Sequence, residues 1–235
     1  MTEVLEAEVV DLAATPLRDL NQRLHDVATT GEGPRRWRIV NPKGAHAVAC
    51  GLDAELEVEI DGHVGYYCAG MNKLATVRVH GNASTGIAEN MMSGLVVVEG
   101  SVSQSAGATA HGGLLVVHGD AAARCGISMK GVDIVVRGSV GHLSAFMAQT
   151  GTLVVCGDAG DALGDSIYEA RLYVRGEVAG LGADCIEKEM RDEHVAQVCE
   201  LLERAGIDDV DAGDFRRYGS ARKLYNFTID NAGAY

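Results

Sequence analysis

The stretch that decides the fold is GTLVVCGDAGDALGD, residues 151–165, in which an apolar run leads into a cluster of glycines. A strand that feeds a phosphate-binding loop has this appearance, and so does one corner of a repeated structure. The rest of the chain distinguishes the two, because it contains six further segments of the same kind: VEIDG, VRVHG, VVVEG, LVVHG, IVVRG and LYVRG. The glycines that end the seven segments are 19 residues apart, at Gly62, Gly81, Gly100, Gly119, Gly138, Gly157 and Gly176.

The residues around these glycines predict the conformation of each repeat. The positions two and four residues before every glycine are aliphatic, as at Val77 and Val79, and this period of two indicates a strand with one buried face. A unit of this length has no room for a helix and two strands, and it cannot bury its inner face alone. We therefore predict an all-β solenoid, a parallel right-handed β-helix of about seven 19-residue coils over residues 51–183.

The repeat glycines have a structural interpretation in this fold. They supply either positive φ or close backbone approach where each coil turns a corner. A phosphate-binding loop is disfavoured because the sequence contains no G-x-x-x-x-G-K-[ST] motif. Two residues after the glycines, valine and alanine alternate strictly, as at Val102, Ala121 and Val140. This alternation predicts that large and small side chains interdigitate between coils.

The segments on either side of the repeat are predicted to be helical extensions. In residues 1–50, Thr15 and Pro16 begin a helix with Leu17, Leu20, Leu24 and Val27 on one face, followed by a glycine-rich break and an extended segment. In residues 184–235, an amphipathic helix is expected over roughly residues 184–205, ahead of a polar tail.

An apolar stripe on the outward face of the strands requires a cover. It consists of the residues three positions before the later glycines and two leucines further back: Leu95, Val97, Leu114, Val116, Val135, Val154 and Tyr173. Two interpretations stay open at this point. Either the chain's own terminal segments cover the stripe, or the stripe is a candidate interface for another protein chain.

Composition excludes several classes of function. The net charge of -13 disfavours nucleic acids and anionic membrane surfaces as partners, because both bind basic faces. The acidic first residues do not resemble a leader peptide, so a cytoplasmic location is expected. The six cysteines contain no C-x-x-C and are expected to be reduced thiols.

No residue is nominated for catalysis, cofactor binding or metal binding on this chain. The eight histidines form no H-E-x-x-H or Cys/His ligand spacing. His80 and His118 share a repeat position, but two coils separate them by about 10 Å, which is too far to share a metal. The outward strand positions show no carboxylate cluster of the kind that carbohydrate-active β-helices use.

The glycine coils, including the spacing of Gly157, Gly160 and Gly164, resemble the C-terminal β-helix domain of the glutamate synthase large subunit and the same domain in a subunit of formylmethanofuran dehydrogenase. The chain length and the tail GSARKLYNFTIDNAGAY, residues 219–235, are similar to the β-helix subunit of bacterial N-methylglutamate synthase. The G-x-x-G-x-x-x-G spacing is complete once, and Gly65 and Gly141 keep half of it, so the motif does not separate these subfamilies.

The resemblance implies a place in a hetero-oligomeric complex that makes N-methylglutamate and ammonia from methylamine and glutamate. In that family the other two subunits are a glutamine amidotransferase-like chain and a synthase chain that carries FMN and an iron-sulfur cluster. This chain would be a non-catalytic scaffold that holds them in register. The alternatives are the β-helix subunit of a split glutamate synthase that uses glutamine and 2-oxoglutarate, and a free-standing carbohydrate-active β-helix enzyme.

Overall fold

The chain is a parallel β-solenoid whose strands stack into one continuous sheet, as shown by a computed structural model that describes residues 7–223. Residues 224–235 of the tail that carries the family resemblance lie outside the described residues. The elements in chain order are β1 (Glu8–Asp11), α1 (Leu17–Thr30), β2 (Arg36–Val40), β3 (Glu57–Asp61), β4 (Thr76–Val79), β5 (Leu95–Val98), β6 (Leu114–Val117), β7 (Lys130–Val136), β8 (Thr150–Val155), β9 (Arg171–Val174), β10 (Cys185–Lys188), α2 (Asp192–Arg204), a 3-10 helix (Ala212–Asp214) and β11 (Arg216–Ser220).

The strands from β1 to β9 pair in chain order and in parallel, and β11 and then β10 complete the sheet in antiparallel orientation. The predicted all-β solenoid of about seven coils with helical extensions is thereby confirmed. The sheet also continues outside residues 51–183, because β1 and β2 precede this range and β10 and β11 follow it.

Equivalent positions of successive repeats pair with each other, so like residues form ladders along the solenoid. One such ladder on the inner face contains Val58, Val77, Val96, Leu115, Ile134, Leu153 and Leu172. These side chains are at most 1% exposed and belong to one continuous hydrophobic core. The alternating valines and alanines after the glycines form a second ladder of parallel bridges, from Val64 to Val178. Stacking identical units thus buries the apolar face that one unit leaves open.

Six of the seven repeat glycines lie where two coils approach closely. A Cβ atom added to Gly119 would lie 2.7 Å from the carbonyl carbon of Gly100, well inside ordinary van der Waals contact. A Cβ atom added to any of five further repeat glycines would lie equally close to backbone atoms of the preceding coil. These are Gly81, Gly100, Gly138, Gly157 and Gly176. Only Gly62 among the seven has a positive φ, of 131°. Close backbone approach is therefore the reason for glycine at these corners.

Left-handed backbone occurs at a different corner of the coil, and often without glycine. In one coil Gly86, Ala88 and Asn90 have φ values of 73°, 54° and 57°, and the same three positions have positive φ in six successive coils. The Gly86 and Asn90 amides donate to carbonyls of the following coil, whereas the Ala88 amide donates to the carbonyl of Cys68 in the preceding coil. These hydrogen bonds offset the strain of left-handed non-glycine residues.

The first helix closes one end of the solenoid. Leu20, Leu24 and Val27 of α1 are buried in the main core, as the sequence pattern predicts, and the helix ends at Gly31 with φ 73°. The Asn21 side chain donates to the carbonyl of Ala47 at 2.9 Å and accepts from an amide of the same loop at 3.0 Å. The helix therefore satisfies backbone groups that the first coil would leave unpaired.

The prediction of one helix over roughly residues 184–205 is wrong in its first part. The segment from Cys185 to Lys188 is strand β10, which pairs antiparallel with β11, and α2 begins only at Asp192. The partner strand comes about 30 residues later in the chain. Local apolar spacing cannot reveal such a distant partner, and tertiary pairing overrides the helical pattern.

Candidate functional site

The outward apolar stripe lies beneath the chain's own C-terminal region. Six of its residues are at most 3% exposed, and Leu95 is partly buried against the same cluster. Helix α2 and the segment after it supply the covering side chains, which include Val198, Leu201, Leu202, Ile207 and Phe215.

The structure therefore supports the first of the two interpretations of the stripe. The prediction of a candidate interface for another chain is corrected here, because its side chains do not form a free surface. These residues are Leu95, Val97, Leu114, Val116, Val135, Val154 and Tyr173. The physical reason is that burial is favourable both for the apolar face of α2 and for the stripe, and each covers the other.

Polar contacts fix α2 in its position on the sheet. The hydroxyl of Tyr173 and the guanidinium of Arg171 both donate to Oε1 of Gln197, at 2.9 and 3.0 Å. The amide nitrogen of Gln197 in turn donates to the hydroxyl of Thr152 at 3.2 Å. One helix side chain therefore connects two neighbouring strands, β8 and β9, and satisfies polar groups at the edge of the apolar cluster.

The outward face of the early strands is charged, in contrast to the covered half. Arg36 pairs with Glu57 at 2.6 Å, and Arg38 pairs with Asp61 at 2.7 Å. Arg78 on β4 pairs with Glu99 at 2.5 Å. Exposed pairs of this kind contribute only roughly 0–1 kcal/mol each to stability. The outer face of the sheet thus has an open charged half and a covered apolar half.

A hydrogen-bonded ladder of side chains runs beside the repeat glycines. At the position after the glycine, the amide of Ser101 donates to Oδ1 of Asn82 at 2.9 Å, and the amide of Asp120 donates to Oγ of Ser101 at 3.1 Å. The pattern continues through Ser139 and Asp158. The signal that could have identified the ladder is a side-chain acceptor at this position in successive repeats.

The buried thiols and the two histidines that share a repeat position lie in separate local environments. Burial raises the pKa of the Cys68 and Cys125 thiols to about 12. Nε2 of His80 contacts a carboxylate oxygen of Glu59, and His118 pairs more loosely with Glu99 at 3.8 Å. Within residues 7–223, no group of three or more His, Cys, Asp or Glu side chains is placed to hold a metal ion. No helix of the same part of the chain is long and apolar enough to cross a membrane.

Stacked 19-residue coils, a ladder of closely approaching glycines and a helix that covers the outer apolar stripe define a single-sheet parallel β-helix protein. No protein-family model matches the chain. Protein GlxC of Rhizobium meliloti (strain 1021) is 63% identical to it over 227 residues, which cover 97% of this chain and 99% of that protein. The chain therefore belongs to the GlxC family.

Proposed function

We propose that this chain is the scaffold subunit of an N-methylglutamate synthase type of complex, which makes N-methylglutamate and ammonia from methylamine and glutamate. The observation that carries the proposal is the uninterrupted ladder of glycine coils, which resembles the β-helix domain of the glutamate synthases. The match to GlxC extends over nearly the full length of both proteins, so the two chains share this architecture throughout.

The physical property that suits a scaffold is rigidity over distance. Every strand of the 11-stranded sheet is hydrogen-bonded to its neighbours, and the coils share one continuous core. A displacement between coils would break several hydrogen bonds together, so the two ends stay in a fixed relation. In this proposal one partner is an amidotransferase-like subunit, and the other is a synthase subunit that carries FMN and the iron-sulfur cluster. The β-helix itself takes no part in the chemistry.

A split glutamate synthase is the second candidate, and the same resemblance of the glycine coils favours it. That complex would transfer ammonia from glutamine to 2-oxoglutarate. The two candidates share the architecture and the partner types and differ in the amine donor, the acceptor and the need for a reductant.

The test is affinity purification of the tagged chain from its native lysate, with the untagged strain as the control. We expect an amidotransferase-like chain and a yellow-brown flavin and iron-sulfur chain to co-elute, identified by mass spectrometry and an absorption spectrum. The eluate is then supplied either with methylamine and glutamate or with glutamine, 2-oxoglutarate and a reductant. Product in the first mixture supports the first candidate, and product in the second supports the other. A colourless chain that elutes alone would contradict both.

A further inference from the structure

The first turn of the covering helix α2 carries a buried histidine. All eight histidines of the chain lie among the described residues, and only His194 is buried, with 4% of its surface exposed. Its imidazole faces the ring of Tyr173, the stripe residue on β9, with the ring centroids 6.3 Å apart. The following turns of α2 supply Val198 and Leu201 to the cover. His194 therefore lies at the point where the cover begins.

The contact of His194 with the backbone requires a neutral ring. The amide of Arg191, the residue before α2, donates to Nδ1 of His194 at 3.1 Å. In return the His194 amide donates to the carbonyl of Arg191 at 2.9 Å, so the two bonds close the first turn of the helix. An imidazole nitrogen accepts a hydrogen bond only when it carries no proton. Protonation of Nδ1 would therefore remove the first of these bonds.

The charged groups around the ring belong to every element packed against it. They are the guanidiniums of Arg171 on β9, Arg191 before α2 and Arg217 on β11, and the carboxylate of Glu193 on α2. Oε1 of Glu193 lies 3.5 Å from Nε2 of His194, but its side chain is 70% exposed and it also contacts Arg191 at 3.9 Å. An exposed carboxylate compensates a buried charge only in part. A proton on the ring would add a fourth cation to this cluster.

The pKa of His194 follows from these surroundings. Burial lowers it from the usual 6.5, Arg217 lowers it further, and Glu193 offsets part of the effect. The folded chain thus keeps the ring neutral at a pH at which the same ring in an opened segment binds a proton. The stabilisation that the neutral ring gives is complete above pH 6.5 and is lost as the pH falls below this value.

We propose that His194 is a pH-sensitive switch that holds the start of α2 on the sheet while the ring is neutral and releases it when the ring is protonated. The protonated ring loses the amide of Arg191 and moves away from the guanidiniums towards solvent. The β9 end of the stripe, with Tyr173, then becomes accessible in acid and is covered at neutral pH. The inference does not depend on the proposed function, because every group involved belongs to this chain.

Hydrogen exchange followed by mass spectrometry on the full chain tests the switch at about pH 5 and about pH 7.5, after correction for intrinsic exchange rates. In the acidic sample we expect the protection of the first turns of α2 to fall at least about threefold more than that of the inner strand β6. An equal change in both elements would overturn the proposal.

Two variants assign the effect to the ring. His194→Asn offers an amide oxygen near the position of Nδ1, so it can accept from the Arg191 amide but takes up no proton. We expect its α2 to be protected equally at the two pH values. His142→Asn removes an exposed histidine between β7 and β8 and should keep the full acid-induced loss. The same loss in both variants would contradict the assignment.

The same comparison addresses a second titratable group that faces α2. Burial raises the pKa of Asp133, which lies 3.8 Å from Arg204 at the other end of the helix. If that carboxyl were responsible, His194→Asn would lose protection in acid as the unaltered protein does.

An NMR titration of the unaltered protein provides a measurement that needs no variant. The ring nitrogens of His194 should show an unprotonated Nδ1 at neutral pH, and the amide signal of Arg191 should shift in the same transition in which Nδ1 takes up its proton. A protonated Nδ1 at neutral pH, or protonation without a shift of the Arg191 amide, would overturn the proposal.

Discussion

Replacing Gly119 with alanine tests whether close approach of the coils is what requires glycine at the repeat corners. The added Cβ would lie 2.7 Å from the carbonyl carbon of Gly100 and 2.5 Å from Oγ of Ser101, whereas ordinary contact begins at 3.4 Å. The φ of Gly119 is not in the left-handed region, so backbone strain plays no part. Relief of the backbone contact requires the two coils to separate by about 0.7 Å at this corner, the difference between these two distances.

Such a separation has consequences on both sides of the glycine. The Gly119 amide donates to Gly100, and the Gly138 amide donates to Gly119, each at 3.0 Å. A shift of this size lengthens the first bond beyond the useful range, which costs about 1 kcal/mol. Overpacking adds about 2 kcal/mol, and the stiffer unfolded chain offsets about 0.7 kcal/mol. The free energy of unfolding should fall by about 2 kcal/mol, which corresponds to a Tm lower by about 6 °C for a chain of this size.

The assay is thermal unfolding followed by far-UV circular dichroism, with urea unfolding as a check on the free energy. Gly219→Ala is the matched control, because a Cβ at that glycine would meet its nearest atoms at 3.8 Å and φ is not positive there either. We expect Gly219→Ala to melt within about 2 °C of the unaltered protein. If Gly119→Ala melts as high as the control, close approach is not the reason for the repeat glycine.

Three further predictions concern the core, the covering helix and the thiols. Ala121→Val should lower the unfolding free energy by about 1–3 kcal/mol, because the ladder neighbours of Ala121 on both sides are valines; an unchanged urea midpoint would contradict interdigitation of large and small side chains. Leu202→Ala should cost about 2–5 kcal/mol and increase the fluorescence of an apolar dye, since Leu202 is 3% exposed over the stripe; no dye response would mean that α2 does not hold the cover in place. In thiol labelling at pH 8, exposed Cys199 should react first, and Cys68 and Cys125 only on unfolding. Burial raises the pKa of both thiols from 9.0 to about 12, so above pH 9.0 the unfolded chain releases protons that the folded chain keeps. The free energy of unfolding should therefore decline as pH rises from 9.0 towards 12. A flat urea midpoint across that range would refute this.

The repeated part of the fold could be predicted from the sequence because its information is local. Aliphatic residues two and four positions before each glycine indicate a strand. Because the seven repeats have the same 19-residue spacing, equivalent strands are expected to stack, as they do in the structure. The apolar face of α1 was predictable for the same reason, since Leu20, Leu24 and Val27 share one face of one helix.

The corners were only partly predictable. The sequence offered positive φ and close approach as two reasons for the repeat glycines, and the structure assigns close approach to six of them. Left-handed backbone lies instead at positions such as Ala88 and Asn90, which have no common residue type. Hydrogen bonds between coils stabilise that conformation, and their geometry cannot be read from a single repeat.

By itself the sequence determined the period, the strand in each coil and the existence of an outward apolar stripe, because each depends on residues within one 19-residue unit or on its repetition. Only the tertiary structure decided what covers the stripe and what pairs with the segment from Cys185 to Lys188. Each of these depends on contacts between segments far apart in the chain. The physical reason is that burial and pairing are properties of two surfaces together, whereas a sequence pattern describes one surface at a time.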